Sequence, residues 1–410
     1  MPVAGLRGTG DWGTDERPKD FRESILFFKP NGSAPIFALT GKSGKVTKTD
    51  PEFSWWAESM TLVRLLVNGA LGAAATTVVV DSPDPTSTTM GVNYGVATHL
   101  KRGDILLVEP SADNATFDHE LLEVVSVESA TSFTVSRGAG GTTAAAIGDN
   151  ANLTLIGSAY AEGTGIPNAA SRNPIKFNNY TQIFKDVYEL TKTADVTKAR
   201  TGKAWSNDKK RKGFDHARGI ELAILFGRKN EGTGSNGKPK RFMGGLREFI
   251  PSSNTTVFGS AVTVNSFLDS LQACFDFDTD AGDERIAFMG NTALTELNKI
   301  VNAATNVRIN FDNKVTVYGM NFIEMVIPRG RILLKTHPLL NQHGLYKKSA
   351  FVLDFSAIKY VTLPGRDTKD TDDVQTKDED VRRGFWQTEC SLMVDAGGLS
   401  QCYLGNISST

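Results

Sequence analysis

Residues 206–226, SNDKKRKGFDHARGIELAILF, carry the strongest helix pattern of the chain. Apolar residues recur there at spacings of three and four, which places them on one face of a helix. They are Phe214, Ala217, Ile220 and Ile224. Ser206 or Asn207 can cap the N-terminus, and the helix must end near Gly227. The stretch therefore predicts a long amphipathic helix whose apolar face packs on a sheet formed by C-terminal strands.

Two strand patterns precede this helix, and they could pair with each other. Residues 46–59 contain Phe53, Trp55 and Trp56, large side chains that favour strands. Residues 175–192 also carry many aromatic and β-branched side chains. Pairing of the two stretches predicts one long hairpin. Because exposed tryptophans are unfavourable, we expect the three aromatic residues at a contact with another element or a neighbouring subunit.

The segment 61–158, between these two stretches, has the pattern of an inserted all-β domain. Five short β-type runs recur in it, and turn clusters rich in Gly, Pro and Asp separate them. The runs are 76–80, 104–108, 121–127, 133–136 and 152–156. Short strands at this spacing predict a small barrel or sandwich at the tip of the hairpin. Residues 1–45 lack a sustained apolar periodicity and are expected to form an extended arm.

The part of the chain that follows the long helix begins with alternating helix and strand patterns. These patterns cover residues 259–344 and predict a compact α/β unit. Strand patterns resume at residue 350 and continue to residue 394. The acidic stretch 367–380 interrupts them with seven acids and two lysines, and we expect it to be a solvated loop. The predicted fold class is therefore α+β.

The length of the chain indicates how many structural units it has, and its net charge argues against some classes of protein. A chain of 410 residues exceeds the roughly 250–300 at which one core stops growing, so two or three units are expected. The 45 Lys+Arg and 46 Asp+Glu give a net charge of -1, which argues against a protein that wraps mainly around nucleic acid. No apolar run approaches the ~18–20 residues of a membrane span, and the N-terminus has no secretory pattern.

The cysteine pattern gives no sign of a metal site. Cys274, Cys390 and Cys402 lack CxxC spacing. We expect free, mostly buried thiols in a reducing compartment.

No catalytic or cofactor motif is complete. The sequence GKS at 41–43 resembles the end of a phosphate-binding loop, but Ile36 stands where the first glycine is required. Residues 119–120 begin like a zinc-protease motif, but Glu123 replaces its second histidine. We therefore expect no catalytic residue, no metal and no cofactor, and predict that the chain is not an enzyme.

A basic cluster lies at the start of the predicted helix. Residues 198–218 carry eight basic and two acidic residues, a local net charge of +6. Four of the basic residues are consecutive: Lys209, Lys210, Arg211 and Lys212. One interpretation is a solvated helix face; the other is electrostatic contact with phosphate or with an acidic partner such as 367–380. Because no aromatic residues interleave, contact with nucleic acid is expected to be sequence-blind.

The order of these elements resembles that of the tailed-phage major capsid proteins, which have the HK-ninety-seven or Johnson fold. Several short stretches look like the SU-ten-type branch of that family. They are EFSWW at 52–56, NYTQIF at 179–184, MGGL at 243–246, THP at 336–338, WQTE at 386–389 and LMV at 392–394. The resemblance covers most of residues 1–60 and 170–410, whereas 61–158 depart from the minimal family pattern.

The resemblance implies an α+β, HK-ninety-seven-like capsid fold made of four regions with an inserted barrel-like domain. The regions are an N-terminal arm at 1–45, an extended loop at 46–190 carrying the insertion 61–158, a peripheral domain at 191–258 and 345–410 with a spine helix at 206–226, and an axial domain at 259–344.

The resemblance also implies a function. The chain would assemble with copies of itself into pentamers and hexamers of an icosahedral head, and the head would enclose double-stranded DNA by non-specific contact. A portal protein and scaffolding or decoration proteins would be its other partners, with no membrane involved. It would reside in the virion, and in the host cytoplasm during assembly.

Two other classes of protein stay open on the sequence alone. The first is a tail tube or baseplate protein, because small β-modules also occur in such proteins. The second is a carbohydrate-binding or hydrolytic surface protein that uses 61–158 as its binding module. Electron microscopy of particles separates spheres from tubes, and a glycan or turnover screen tests the second class.

Overall fold

The computed structural model describes residues 36, 44–58, 63–81, 97–109, 119–167, 169, 174–198, 202–277, 279–303, 314–317 and 320–409. The arm expected over 1–45 lies almost wholly outside the described residues. The described chain combines several β-sheets with helices, which confirms the α+β class.

The elements are numbered in chain order. The strands are β1 (Lys45–Thr47), β2 (Glu52–Ala57), β3 (Arg64–Leu66), β4 (Thr77–Val79), β5 (Asp104–Val108), β6 (Leu121–Val127), β7 (Ser132–Ser136), β8 (Asn152–Ser158), β9 (Ile175–Tyr180), β10 (Gln182–Thr191), β11 (Asn230–Thr233), β12 (Pro239–Phe242), β13 (Thr255–Val257), β14 (Glu284–Met289), β15 (Lys314–Val317), β16 (Met320–Ile327), β17 (Gly330–Thr336), β18 (Ala350–Leu353), β19 (Ile358–Thr362), β20 (Lys369–Thr371), β21 (Val381–Val394) and β22 (Cys402–Gly405). The helices are α1 (Lys192–Val196), α2 (Ala204–Phe226), α3 (Leu246–Phe249), α4 (Val264–Leu271), α5 (Asn291–Ala303) and α6 (Pro338–Asn341).

A five-stranded sheet is built around the long strand β21. β10 pairs antiparallel with β21 along its whole length, from Gln182 opposite Cys390 to Thr191 opposite Val381. β19 and the short β20 also pair with β21, and β1 runs parallel to β19. The helix α2 packs against β10 and β21.

The buried face of α2 agrees with the helix pattern. Ile220 and Ile224 lie in a core that they share with residues of β19 and β21, whereas Phe214 and Ala217 are half-buried. The expected N-cap is wrong, because the helix begins at Ala204 and its N-cap, Lys203, makes no side-chain capping hydrogen bond. The additional turn contains the buried Trp205, whose ring lies 4.8 Å from that of Tyr188. Packing of this indole on β10 extends the helix beyond the predicted cap.

A seven-stranded sheet has the order β13-β22-β18-β14-β17-β16-β15 and a core on each face. β14 shows the alternation: Ala287 and Met289 face a core shared with α4 and α5, whereas Ile286 and Phe288 face the core that contains α2. The α/β alternation expected over 259–344 is therefore observed. The boundaries expected for an axial domain do not match this sheet, because β13, β18 and β22 come from outside 259–344.

The inserted segment forms a closed six-stranded barrel. Its strand order is β3-β8-β5-β6-β7-β4, and an antiparallel bridge between Val67 and Val80 joins the two end strands. The N–H of Asn68 donates to the Val79 carbonyl at 2.9 Å across this seam. The buried residues of its core all lie between Val63 and Leu153. The predicted all-β insertion is confirmed, with β3 as a strand that the sequence pattern did not indicate.

The single long hairpin is only partly observed. β2 pairs antiparallel with β9, as expected, from Glu52 opposite Tyr180 to Ala57 opposite Ile175. The chain then leaves this pair, and β10 joins β21 instead. On the other side, β1 joins β19. The long-hairpin prediction was wrong outside these six pairs because β21 supplies a longer partner for β10 than 46–51 could.

The cysteines also differ from expectation. Cys274 and Cys402 form a disulfide between the segment after α4 and strand β22, so these two residues are not free thiols. Cys390 is the free, buried thiol among the three. Burial raises the pKa of its thiol to about 12, which keeps it protonated at neutral pH. The sequence separation of 128 residues explains why no local spacing indicated the disulfide.

The acidic stretch 367–380 is more structured than a solvated loop. It contains β20, and two of its carboxylates bind side chains of α2 and β10. Among the described residues, no helix is long and apolar enough to cross a membrane. In the same part of the chain, no group of three or more His, Cys, Asp or Glu side chains could hold a metal ion.

Candidate assembly surfaces

Three of the short stretches that resemble the capsid family meet at Asn179, a fully buried residue of β9. Its side-chain amide donates to the carbonyl oxygens of Gly244 at 3.1 Å and Leu392 at 2.7 Å. Its Oδ1 accepts from the N–H of Gly244 at 2.8 Å. Next to it, the hydroxyl of Thr181 donates to Glu389 at 3.0 Å. A satisfied buried amide thus fixes the end of the extended loop to the five-stranded sheet.

The glycines of the MGGL stretch let it approach the end of α2. A Cβ atom on Gly245 would lie 2.6 Å from the carbonyl oxygen of Ala223 and from the nitrogen of Gly227. The N–H of Gly245 donates to the Gly227 carbonyl at 2.9 Å. A larger residue would therefore force the segment away from the helix end, which is the physical reason for glycine at this place.

Trp55 anchors β2 to the same region. Its indole N–H donates to the carbonyl of Val394 at 3.1 Å, and its ring lies 6.0 Å from Phe177 and 5.8 Å from Phe249. Phe53 stacks beside it at 5.9 Å. These rings form a small core of their own between the extended loop and the five-stranded sheet.

The three aromatic residues of β2 do not share one environment. Trp56 is 63% exposed, whereas Phe53 and Trp55 are 5% and 7% exposed. Side chains alternate along a strand, so Phe53 and Trp55 point to the chain's own core and Trp56 points away from it. Phe53 and Trp55 thus make the expected contact with other elements of the chain, and a subunit contact through them stays a prediction. For Trp56 it remains a prediction.

An exposed apolar pair also lies on β10. Ile183 and Val187 are about half exposed, at 51% and 49%, and alternate with Phe184 and Tyr188, which face α2. The strand pattern at 175–192 contains both residues but does not mark either of them as exposed. The alternation of side chains along β10 could have indicated that the face with Ile183 and Val187 points away from α2.

The basic cluster is not uniform, and Lys209 is already paired within the chain. Its ammonium forms salt bridges with Asp370 and Asp372 of the acidic stretch, the latter at 3.4 Å. The hydrogen bond to Asp370 raises the pKa of Lys209. Tyr188 donates its hydroxyl to Asp372 at 2.6 Å, and desolvation together with both carboxylates raises the pKa of its phenol. The acidic-partner interpretation therefore holds for Lys209, with 367–380 of the same chain as partner.

The other three basic residues have different surroundings. Arg211 binds Asp208 one turn earlier on α2 at 3.1 Å. Lys210 is exposed and Lys212 is half-buried. Any contact of the cluster with phosphate is thus left to Lys210, Arg211 and Lys212.

His216 was not assigned a role from the sequence, and it fixes α2 to two strands. Its Nδ1 lies 2.7 Å from Oδ2 of Asp186 on β10, and its Nε2 lies 2.8 Å from the hydroxyl of Thr388 on β21. Its position could have been recognised, since His216, Ile220 and Ile224 follow at intervals of four on one helix face.

Comparison with known families decides the class of this protein. A family model described as SU10 major capsid protein matches residues 6–397, a range that includes the inserted barrel. The chain belongs to this family. The major capsid protein of Pseudomonas phage PaMx41 is similar, at 30% identity over 359 residues that cover 86% of this chain and 80% of that protein. The predicted resemblance to phage major capsid proteins is confirmed, and the tail-protein and carbohydrate-binding alternatives are not favoured.

Solved structures of capsids and of an encapsulin are also similar to this SU10-family chain. The capsid of a native GTA particle is 8% identical, with 98% of both chains covered and a TM-score of 0.43. The capsid of Cyanophage P-SCSP1u is 10% identical, covering 98% of this chain and 96% of that chain, with a TM-score of 0.43. The SrpI encapsulin of Synechococcus elongatus PCC 7942 is 12% identical over 58% of this chain and 77% of that chain, at 0.41. The family assignment rests on the sequence matches.

Proposed function

We propose that this chain forms pentamers and hexamers of an icosahedral phage head that encloses double-stranded DNA, in the HK-ninety-seven-like arrangement of arm, extended loop, peripheral domain and axial domain. The family match over 6–397 carries the proposal. Assembly takes place in the host cytoplasm, where a portal and scaffolding or decoration proteins join the shell.

The extended loop supports assembly with neighbours. β2 and β9 form a two-stranded sheet that packs its inner face on the chain's own core and exposes Trp56 on the other. A two-stranded sheet is at best marginally stable alone, and an exposed indole favours a partner surface. Trp56 is therefore proposed to contact an adjacent subunit.

The barrel is proposed to fasten neighbouring subunits. In the described residues it shares no sheet with the rest of the chain and has its own core. A closed barrel offers no free strand for aggregation, so it can project from the shell protein without causing misassembly. Placed over an adjacent subunit, it would do the work of a separate decoration protein.

The remaining basic residues are proposed to face packaged DNA. Lys210, Arg211 and Lys212 lie together on α2, and within the described part of the chain Arg211 is the one of the three that forms a salt bridge. Phosphate contacts of this kind are non-specific and weaken as salt rises.

Expression of the chain, followed by electron microscopy, tests the function. Closed spherical shells with five-fold and six-fold capsomers are expected. Tubes or rings without closed shells would contradict the proposal.

The DNA contact needs its own test. Changing Lys210 and Lys212 to Gln in the phage should lower the salt concentration at which DNA escapes from opened heads, while shells still form. The matched control is Lys369→Gln, an exposed lysine on β20. Equal DNA release in both variants would remove Lys210 and Lys212 from the contact and leave the shell function intact.

A further inference from the structure

The disulfide between Cys274 and Cys402 connects two parts of the chain that other contacts already hold in place. Both cysteines are completely buried, in the core that the seven-stranded sheet shares with α4 and α5. Cys402 lies on β22, opposite Val352 of β18. The backbone carbonyl of Cys274 accepts hydrogen bonds from Nε and Nη2 of Arg285, at 3.2 and 3.0 Å. These contacts bring the two cysteines together independently of the sulfur–sulfur bond.

Arg285, which holds the carbonyl of Cys274, is itself fixed on all sides. It is 1% exposed, and its guanidinium carbon lies 4.9 Å from the centre of the Phe275 ring. Its Nη1 donates to the carbonyl oxygens of Gly282 at 2.7 Å and Glu284 at 2.9 Å. The position of Cys274 therefore does not depend on the disulfide.

The other cysteine belongs to the strand that holds the end of the chain in the seven-stranded sheet. β22 lies between β13 and β18. Beyond it, Ile407 is buried and its N–H donates to the carbonyl of Lys348 at 2.7 Å. The N–H of Ser409 donates to Oε2 of Glu296 on α5 at 2.9 Å. Across a sequence separation of 128 residues, the disulfide ties this end to the segment after α4. Closing so long a loop lowers the entropy of the unfolded chain.

Assembly in the host cytoplasm, as proposed above, sets the redox state of these cysteines when the subunit folds. Cellular reductants keep thiols reduced in that compartment. Since strand pairing and the contacts of Arg285 already position both residues, a subunit with two thiols can fold and assemble. Burial then slows oxidation, because an oxidant reaches the sulfur atoms only when this core opens locally.

We propose that the Cys274–Cys402 bond is an oxidative lock, formed after the assembled head leaves the host cytoplasm; this inference rests on the proposed function. Each thiol gives up its proton, a bond forms between the two sulfur atoms, and two electrons and two protons pass to dissolved dioxygen, which becomes hydrogen peroxide. The reaction needs no change in strand order. It makes the shell harder to disrupt, because β22 can no longer leave the seven-stranded sheet without the segment after α4.

The number of free thiols tests the timing of the lock. Cells that express the chain are lysed in denaturant containing an alkylating reagent, and mass spectrometry locates the alkylated cysteines. All three cysteines of the chain should be alkylated in this fresh lysate, and also in shells purified with a reductant. After the shells have stood in aerated buffer without reductant, Cys390 should be the one cysteine that is still alkylated.

The rupture temperature of the shells tests the consequence of the lock. Oxidised wild-type shells should rupture about 5 °C or more above reduced shells of the same batch. In Cys402→Ser, the reduced and the aerated shells should rupture at the same temperature. The matched control is Cys390→Ser, which alters the buried thiol outside the disulfide and should keep the difference seen in the wild type.

The proposal would be overturned by a disulfide in most chains of the fresh lysate, by thiols that persist after aeration, or by equal rupture temperatures of reduced and oxidised wild-type shells. All three measurements use the wild type, so they decide the matter even if Cys402→Ser does not fold. Wild-type shells that form only after oxidation would also contradict the lock. Failure to form closed shells in either redox state would instead contradict the proposed function.

Discussion

Trp55 and Trp56 are identical neighbours on β2 with opposite surroundings. Trp55→Ala should lower the free energy of unfolding by about 3–5 kcal/mol, since it removes a buried indole and its hydrogen bond to Val394. Trp56→Ala should change subunit stability by less than about 0.5 kcal/mol, because this side chain is 63% exposed. Chemical denaturation of unassembled subunits measures both changes.

The change Trp56→Ala, which should have little effect on subunit stability, should impair shell assembly. Shell yield at fixed subunit concentration is expected to fall in Trp56→Ala although the subunit stays folded. Normal yield and normal shell stability in this variant would place Trp56 outside the subunit contacts.

A buried ion pair in the barrel domain makes the stability of that domain depend on pH. Arg137 binds both carboxylate oxygens of Glu120 at 2.6 Å, and the backbone N–H groups of Gly138 and Ala145 donate to them. Burial tends to raise the pKa of Glu120, but the hydrogen bond and charge of Arg137 and these N–H groups lower it below its usual 4.5. The stability from this pair is therefore complete above about pH 4.5 and is lost as the pH falls through the lowered value.

Arg137→Met tests that pair. It leaves the carboxylate buried without its partner, so the barrel should lose about 3–5 kcal/mol at neutral pH. In this variant, acidification below pH 4.5 should cost the barrel less than in the wild type. The measurement is hydrogen exchange of β6 and β7 as a function of pH. An acid profile equal to that of the wild type would show that Glu120 does not control it.

At the scale of elements, α2 is the helix on which two sheets depend. Ile220→Asp would place an unpaired charge in a site that is 1% exposed, and should cost several kcal/mol. Leu222→Asp is the matched control, since Leu222 is on the same helix but 40% exposed, and should cost less than about 1 kcal/mol. Thermal unfolding of purified subunits compares them. Soluble, assembly-competent Ile220→Asp protein in normal yield would contradict the observed face.

Local sequence patterns predicted helices and strands well where the spacing of apolar residues alone determines which face is buried. The spacing of Ile220 and Ile224 gave the buried face of α2, and the alternation at 133–136 marked strand β7. The N-cap predicted at Ser206 was wrong, because the packing of Trp205 on Tyr188 extends the helix to Ala204. No local sequence pattern indicates that contact. For the same reason, the sequence could not show that β10 prefers β21 to the first half of the hairpin.

At the scale of the whole molecule, the barrel can be removed as a unit. Residues 61–158 expressed alone should fold with cooperative unfolding, because the core lies between Val63 and Leu153. The full chain with 61–158 replaced by a short Gly/Ser bridge should still form shells, and these should rupture at lower temperature. An unfolded fragment would disprove an independent domain. Shells of unchanged stability would disprove only the fastening role.

The candidate assembly surfaces were predicted less well than the fold. The sequence indicated β2 and the basic cluster, but only the structure separates Trp56 from Trp55 and Lys209 from Lys210. Those differences depend on which residues of other elements lie against each side chain in the folded protein. Asp370 and Asp372 are more than 160 positions from Lys209, and the partner of Cys274 is 128 positions away. Such pairs follow from topology, which local patterns do not contain.

The strand order also has a consequence for how the protein is made. β22, at Cys402–Gly405, lies between β13 and β18, and β21 is the strand to which β10, β19 and β20 attach. The barrel can therefore close early during translation, whereas the two larger sheets must wait until β21 and β22 have left the ribosome. A prematurely terminated chain would carry a finished barrel and two unfinished sheets. Only chains translated beyond β22 would then bring both completed sheets to a growing shell, so incomplete products would be excluded from assembly.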